Sequence, residues 1–148
     1  MQLSKTKKRI NDLSYQIIGA AIEVHKILGP GLIENSYEQA LIYELELRGL
    51  KTQSQQKIKV PYKEVILESE LRYDILVEDL IIVENKATPT MHPIFEATLL
   101  SYMKHLKKPK GILFNFHVSN LFKDGQKTYV NEYFSMLPDE WHIFFCYT

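Results

Sequence analysis

Long apolar runs are missing from this 148-residue chain. None approaches the ~18 residues that a helix needs to cross a bilayer, and the basic start MQLSKTKKRINDL has no apolar segment of the signal-peptide kind behind it. The expectation is a cytoplasmic protein without membrane association. Cysteine is nearly absent too: Cys146 stands alone near the C-terminus, which excludes a disulfide framework or a cysteine zinc site within one chain. With no base partner in view, its thiol is expected to be inert. The five histidines, His25, His92, His105, His117 and His142, show no metal-ligand spacing of the HExxH kind. No excess of charge is present either, since 18 basic residues balance 18 acidic ones. Any contact with a polyanion must therefore come from local patches. Finally, no Gly-rich phosphate loop, dinucleotide fingerprint or G-x-S-x-G elbow occurs, which removes three common chemistries.

What remains is an ordinary globular composition, 45% hydrophobic and 24% charged, at a length that suits one domain spanning 1–148. The chain has no internal repeat, low-complexity tract or linker. NDLSYQIIGAAIEVHKILGPG carries apolar residues at Ile17, Ala21, Val24 and Leu28, a helical period with Asn11, Asp12 or Ser14 available as N-cap. Gly29, Pro30 and Gly31 end it. A second helix is expected over roughly Leu32 to Arg48, closed by Gly49. KIKVPYKEVILE, LRYDILVE and LIIVENKA read as three consecutive antiparallel strands. After His92, read as a cap with Pro93 at the first helical position, IFEATLLSYMKHLKK returns to helical spacing. GILFNFHV is a nearly continuous apolar strand of the kind found in the middle of a sheet. LFKDGQKTYVNEYF reads as a turn at Asp124 and Gly125 followed by a strand. The order predicts an α/β fold in which helices flank a mixed sheet.

Charged residues interrupt this pattern at places where burial is expected. On the second helix Glu34 and Glu38 share the stripe of Leu41 and Leu45. In LIIVENKATP, Glu84 and Lys86 share a face with Leu80 and Ile82, while Ile81, Val83 and Asn85 share the other. Asp74 lies in the preceding strand. A two-residue turn at Glu78 and Asp79 would send Glu84 to the face opposite Asp74. A three-residue turn, Glu78 to Leu80, pairs Asp74 directly with Glu84. An odd-length loop or a bulge is thus a requirement of any reading in which these carboxylates meet.

If Glu38 (or Glu34), Asp74 and Glu84 do meet, they repel one another unless a divalent cation lies between them, and such oxygen ligands suit Mg²⁺ or Mn²⁺. The ion lowers the pKa of a bound water and neutralises charge on a phosphate, Lys86 positions that water or stabilises the transition state, and the carbonyl of Asn85 offers a further ligand. That is the chemistry of phosphodiester hydrolysis. Two basic clusters, Lys5 to Arg9 and Lys104, Lys107, Lys108 and Lys110, are read first as solvated charge and second as contacts for a phosphate backbone. Tyr37 and Tyr102 are read as packing residues.

At these residues the chain resembles a known family. Asp74, nine residues, then Glu84, Asn85 and Lys86 look like the core motif of the PD-(D/E)XK nuclease superfamily, and the stretch from Glu38 through QALIYELELRGL resembles the first acidic helix of archaeal Holliday junction resolvases. GPGLIENSYEQALIYELELRGL, with Gly31, Glu34 and Tyr37, is similar to the signature of the GxxExxY family of small bacterial proteins in that superfamily. RYDILVEDLIIVENKA, EATLLSYMK and GILFNFHV continue the likeness, over about residues 12 to 131. The resemblance implies a restriction-endonuclease-like core with two helices ahead of the sheet. It also implies Mg²⁺-dependent nuclease activity, with DNA the expected partner and Glu38, Asp74, Glu84 and Lys86 in the catalytic positions. Glu34 falls beside them. Tyr73 stands where the superfamily's name has proline, and Thr98 stands where relatives place a glutamine four residues ahead of the helix tyrosine, here Tyr102. The alternatives left open are a weak or inactive module of this fold that binds nucleic acid or a protein, and a hydrolase of small phosphoesters. A homodimer would suit cleavage of two strands.

Overall fold

A strand that is apolar on both faces needs cover on both faces, and Lys110–Asn115 is buried along its whole length. The computed structural model describes residues 5–140. In chain order the elements are α1 (Lys7–Leu28), α2 (Glu34–Leu47), β1 (Thr52–Ser54), β2 (Val60–Tyr62), β3 (Val65–Leu67), β4 (Ile75–Val77), β5 (Ile81–Lys86), α3 (Pro93–Leu106), β6 (Lys110–Asn115), α4 (Leu121–Asp124), β7 (Gln126–Val130) and α5 (Glu132–Ser135). Five strands form one sheet in the order β1-β4-β5-β6-β7. β5 and β6 run parallel, with α3 as their crossover, and the other neighbours are antiparallel. The mixed sheet flanked by helices, with two helices ahead of it, is the architecture expected.

One face of the sheet is covered by α1 and α2. Ile10, Leu13, Ile17, Ala21 and Val24 of α1 and Tyr37, Leu41 and Leu45 of α2 pack on Ile75, Val77, Ile81, Val83, Ile112 and Phe114. The other face is covered by α3, whose Leu99, Tyr102 and Met103 pack on Leu76, Ile82 and Leu113. The caps explain where these helices begin. Thr6 Oγ1 accepts the Arg9 N–H at 3.0 Å, so α1 starts a turn ahead of the expected Asn11, Asp12 or Ser14. His92 Nδ1 accepts the Ile94 N–H at 3.1 Å with Pro93 in the first turn, as read from the sequence. Among the described residues no side chain caps helix α2 at Ile33. Its entry is held instead by the Tyr37 hydroxyl, which donates to the Gly29 carbonyl and accepts the Leu32 N–H, while Gly49 at φ 78 closes its end. Tyr37 is fully buried and stacked on Phe116 at 4.4 Å, a packing residue as expected.

Several expectations need correction. KIKVPYKEVILE is not a strand of the main sheet: it folds back on itself as the separate β2–β3 hairpin. The edge strand that pairs with β4 is β1, ahead of that stretch. Alternating apolar residues describe an exposed arm as well as a sheet strand, and β3 is exposed throughout. The turn at Asp124 and Gly125 is the end of a short helix, α4. Leu28 is 36% exposed, so it does not continue the buried stripe of α1. Lys110, grouped in the sequence with solvated lysines, is buried. Cys146 and His142 lie outside the described residues.

The connection between β4 and β5 has three residues. Val77 pairs with Ile81, Glu78 and Asp79 adopt left-handed conformations at φ 52 and 58, and the Leu80 N–H returns to the Val77 carbonyl at 2.9 Å. Lys51 fixes the turn from outside, its N–H donating to Glu78 Oε2 at 2.6 Å and its carbonyl accepting the Glu78 N–H at 2.8 Å.

Helix α3 lies so close to β6 that a Cβ on Gly111 would come within 2.7 Å of Met103 Sδ and 2.8 Å of Leu99 Cδ1. Gly111→Val therefore overpacks this contact, and urea unfolding is expected to show a loss of about 1–3 kcal/mol.

Candidate active site

The ladder between β4 and β5 runs from Val77↔Ile81 to Ile75↔Val83, and the next positions in that register are Asp74 and Glu84. The three-residue turn thus places the two carboxylates side by side on one face, as the odd-length requirement demanded. Here the regular ladder stops and the side chains take it over. Glu84 Oε1 accepts the Asp74 N–H at 3.0 Å, and Asp74 Oδ2 accepts the Asn85 N–H at 2.8 Å. Each carboxylate is oriented by a main-chain donor of the other strand.

Glu38 comes from α2 on the far side of the sheet end. Its link to Asp74 is Gln55, whose Nε2 donates to Glu38 Oε1 at 2.8 Å, to Glu38 Oε2 at 3.2 Å and to Asp74 Oδ1 at 3.3 Å. Gln55 sits just after β1 with φ 54, and its own N–H donates to the Asp74 carbonyl at 3.1 Å. Lys86 follows on the face of Glu84. Its Nζ lies 4.0 Å from Glu34 Oε1 and 4.4 Å from the centroid of Phe95 on α3, a cation–π distance. Glu34 keeps 49% of its side chain exposed, so it flanks Lys86 without entering the carboxylate group. Tyr102 is buried on the same side, and burial together with the charges of Glu84 and Asp74 raises its phenol pKa. Tyr73 is buried, with its hydroxyl 3.3 Å from Gln53 Oε1. Thr98 makes no hydrogen bond to these groups among the described residues.

Main-chain direction settles where Asn85 points its carbonyl. The Lys86 carbonyl accepts the Phe116 N–H at 2.8 Å on the β6 side. Groups alternate along a strand, so the Asn85 carbonyl faces the same edge as its N–H, toward Asp74. The Asn85 side chain is fully buried on the α1–α2 face, and among the described residues neither its oxygen nor its nitrogen has a partner. Such an orphaned amide costs roughly 1–3 kcal/mol.

Crowding has an electrostatic consequence. Burial first, and the neighbouring Asp74 charge second, raise Glu84 to about 9 and Glu38 to about 7. Burial likewise raises Glu34, against the pull of Lys86. Among the described residues no three His, Cys, Asp or Glu side chains stand close enough to hold a metal ion as they are. The structure joins Asp74 to Glu84 through main-chain donors and Asp74 to Glu38 through an amide, but does not close the three on one point.

Two supporting residues escaped the sequence reading. Gln55 belongs to a polar run, SQQ, with no periodicity to single it out. Asn115, beside Lys86 in the parallel ladder, accepts the Thr88 and His117 N–H groups at 3.2 and 3.1 Å and donates to the Thr88 carbonyl at 3.0 Å. It ties down the chain that leaves the site. An asparagine at a strand end carries no such signal in sequence.

A carboxyl raised in the folded state costs nothing below its unfolded pKa, and the cost grows as pH rises to the folded value. The metal-free protein is therefore expected to lose stability between about pH 5 and pH 9 as Glu38 and then Glu84 ionise. Glu84→Gln keeps an acceptor for the Asp74 N–H and removes the charge, so at about pH 8 it is expected to be more stable by about 1–3 kcal/mol. Thermal melts of both proteins across that range check this.

Comparison with known proteins adds an independent line. Residues 11–128 match the family description "PD-(D/E)XK nuclease superfamily". No curated protein and no solved structure matches the chain. The match spans well over half of the sequence and contains α1 from Asn11, the sheet as far as Thr128 in β7, α3 and all of the carboxylates described above. Its α/β architecture, with two helices ahead of a five-stranded mixed sheet, is that of the restriction-endonuclease-like fold. The chain belongs to the PD-(D/E)XK nuclease superfamily.

Proposed function

We propose that this protein is a metal-dependent nuclease that hydrolyses phosphodiester bonds of DNA. The observation that carries the reading is the register of β4 on β5, which sets Asp74 beside Glu84 and leaves Lys86 on the same face at the strand end. The residues present fit a hard divalent cation. Carboxylates with raised pKa values gain from a positive charge between them, and the Gln55 amide already stands between Glu38 and Asp74 as a neutral donor. Glu38, Asp74, Glu84 and the Asn85 carbonyl would hold the ion. When bound, Mg²⁺ or Mn²⁺ supplies acidification of water and neutralisation of phosphoryl charge.

The chain's own groups do the rest. Asp74 and Glu84 are pre-oriented by main-chain donors, so they lose little freedom when they bind. Lys86, steadied between Glu34 and Phe95, presents an ammonium to the phosphate and offsets charge that builds during displacement. The Phe95 face and buried Tyr102 exclude water from one side. Tyr37 and Glu34 support the finer placement in the GxxExxY group: the first braces the loop before α2 and the second meets Lys86. A DNA substrate in turn points to the cytoplasm, and two-strand cleavage to a symmetric pair of chains.

The purified protein is expected to cut DNA with Mg²⁺ or Mn²⁺ and to stop in EDTA. Asp74→Ala and Glu84→Ala should lower the rate by about a thousandfold, and Lys86→Ala by about a hundredfold, with melting curves still cooperative. Cleavage that survives Glu84→Ala would overturn the reading. Metal-independent binding without cleavage would favour an inactive module.

A further inference from the structure

The other face of the sheet holds a charge that the candidate active site does not use. Lys110, at the start of β6, is 8% exposed and shares a face with Ile112 and Phe114, beneath α1. Its Nζ donates to Asn11 Oδ1 at 3.2 Å, and no carboxylate lies within ion-pair distance among the described residues. Burial lowers its pKa with no acid to restore it. Buried ammonium groups are normally paired, because desolvation is costly.

This ammonium opens onto a cleft of about 450 Å³ between α1 and the edge strand β7, a volume in the range of small-molecule sites. Asn11, Ser14 and Ile18 form a helical stripe along one wall, and Gln126 and Thr128 form the floor beside Lys110. Among the described residues no carboxylate lines the cleft, so an anion there meets donors. At the rim stand two aromatic rings, Tyr15 at 76% and Phe122 at 62% exposure. A cation and hydroxyls set within reach of exposed aromatic faces suit a phosphate that carries a planar group.

We propose that this cleft is a nucleotide site, separate from the carboxylates, in which Lys110 takes the phosphate and the Tyr15–Phe122 rim takes the base. Free mononucleotide and the 5′-phosphorylated end of a strand share that chemistry. The inference stands whether or not the carboxylate site cleaves DNA, because its readout is binding.

The test is calorimetric titration in EDTA with AMP, adenosine, inorganic phosphate and a 5′-phosphorylated dinucleotide. AMP or the dinucleotide is expected to bind saturably and more tightly than adenosine or phosphate alone. AMP as the tighter of the two indicates a free nucleotide, and the dinucleotide as the tighter indicates a strand end. Lys110→Met keeps the volume without the charge, so it is expected to melt higher and to weaken binding by about tenfold or more, whereas Glu84→Ala leaves binding unchanged. No saturable binding, or equal affinity in Lys110→Met, would overturn the proposal. If that variant does not fold, amide shifts of the native protein on adding AMP decide: movement at Lys110, Gln126 and Thr128 supports the site, and movement confined to Asp74 and Glu84 refutes it.

Discussion

Two hydrogen bonds at the end of one ladder organise the carboxylate cluster. The Asp74 N–H donates to Glu84, and the Asn85 N–H donates to Asp74. Both donors would be left open where β4 and β5 diverge, and a buried N–H without an acceptor is costly. The carboxylates satisfy them, so main-chain accounting and side-chain orientation are solved together. This works only because three residues, not two, connect the strands, and that in turn requires Glu78 and Asp79 to accept left-handed backbone. Lys51 and Arg9 reach the turn from β1's flank and from α1, with Arg9 3.9 Å from Glu78. The turn is braced from two directions.

The remainder of the fold holds that strand end still. Covered by α1 and α2 on one face and by α3 on the other, β5 is buried from Ile81 to Asn85. Its apolar residues supply the favourable burial against which ionised Glu38 and Glu84 are a cost. Gly111 lets α3 approach β6 closely enough to bring Phe95 over Lys86 and Tyr102 beside Glu84. Asn115 then pins the chain that leaves β5. Rigidity around the charged cluster is therefore built from both cores.

Much of this could be read from residues alone, for a definite reason. Side chains alternate along a strand, so the parity of a turn decides whether Asp74 and Glu84 share a face. The length of the apolar run fixes β6 as interior, and His92–Pro93 marks the start of α3. The β2–β3 arm was not legible, because alternation alone does not say whether a strand has a sheet to join. Nor was Lys110, since its burial depends on α1 lying across β6, a contact between residues 99 apart in sequence. Gln55 was missed for the same cause: its partners lie 17 and 19 residues away, and no local spacing encodes them.

The choice of a glutamine at position 55 makes physical sense beside Glu38 and Asp74. A lysine or arginine there would neutralise the pair and stabilise the folded chain directly. It would also be a permanent cation, fixed where the proposed chemistry needs an exchangeable one. A carboxamide answers the lone pairs of both acids without cancelling their charge, so the cluster stays acid-rich and the raised pKa values of Glu38 and Glu84 persist. Swinging one neutral side chain aside is a smaller step than breaking a buried ion pair, which costs several kcal/mol, about 3–5. Gln55 thus orders the carboxylates while leaving their charge available to a cation.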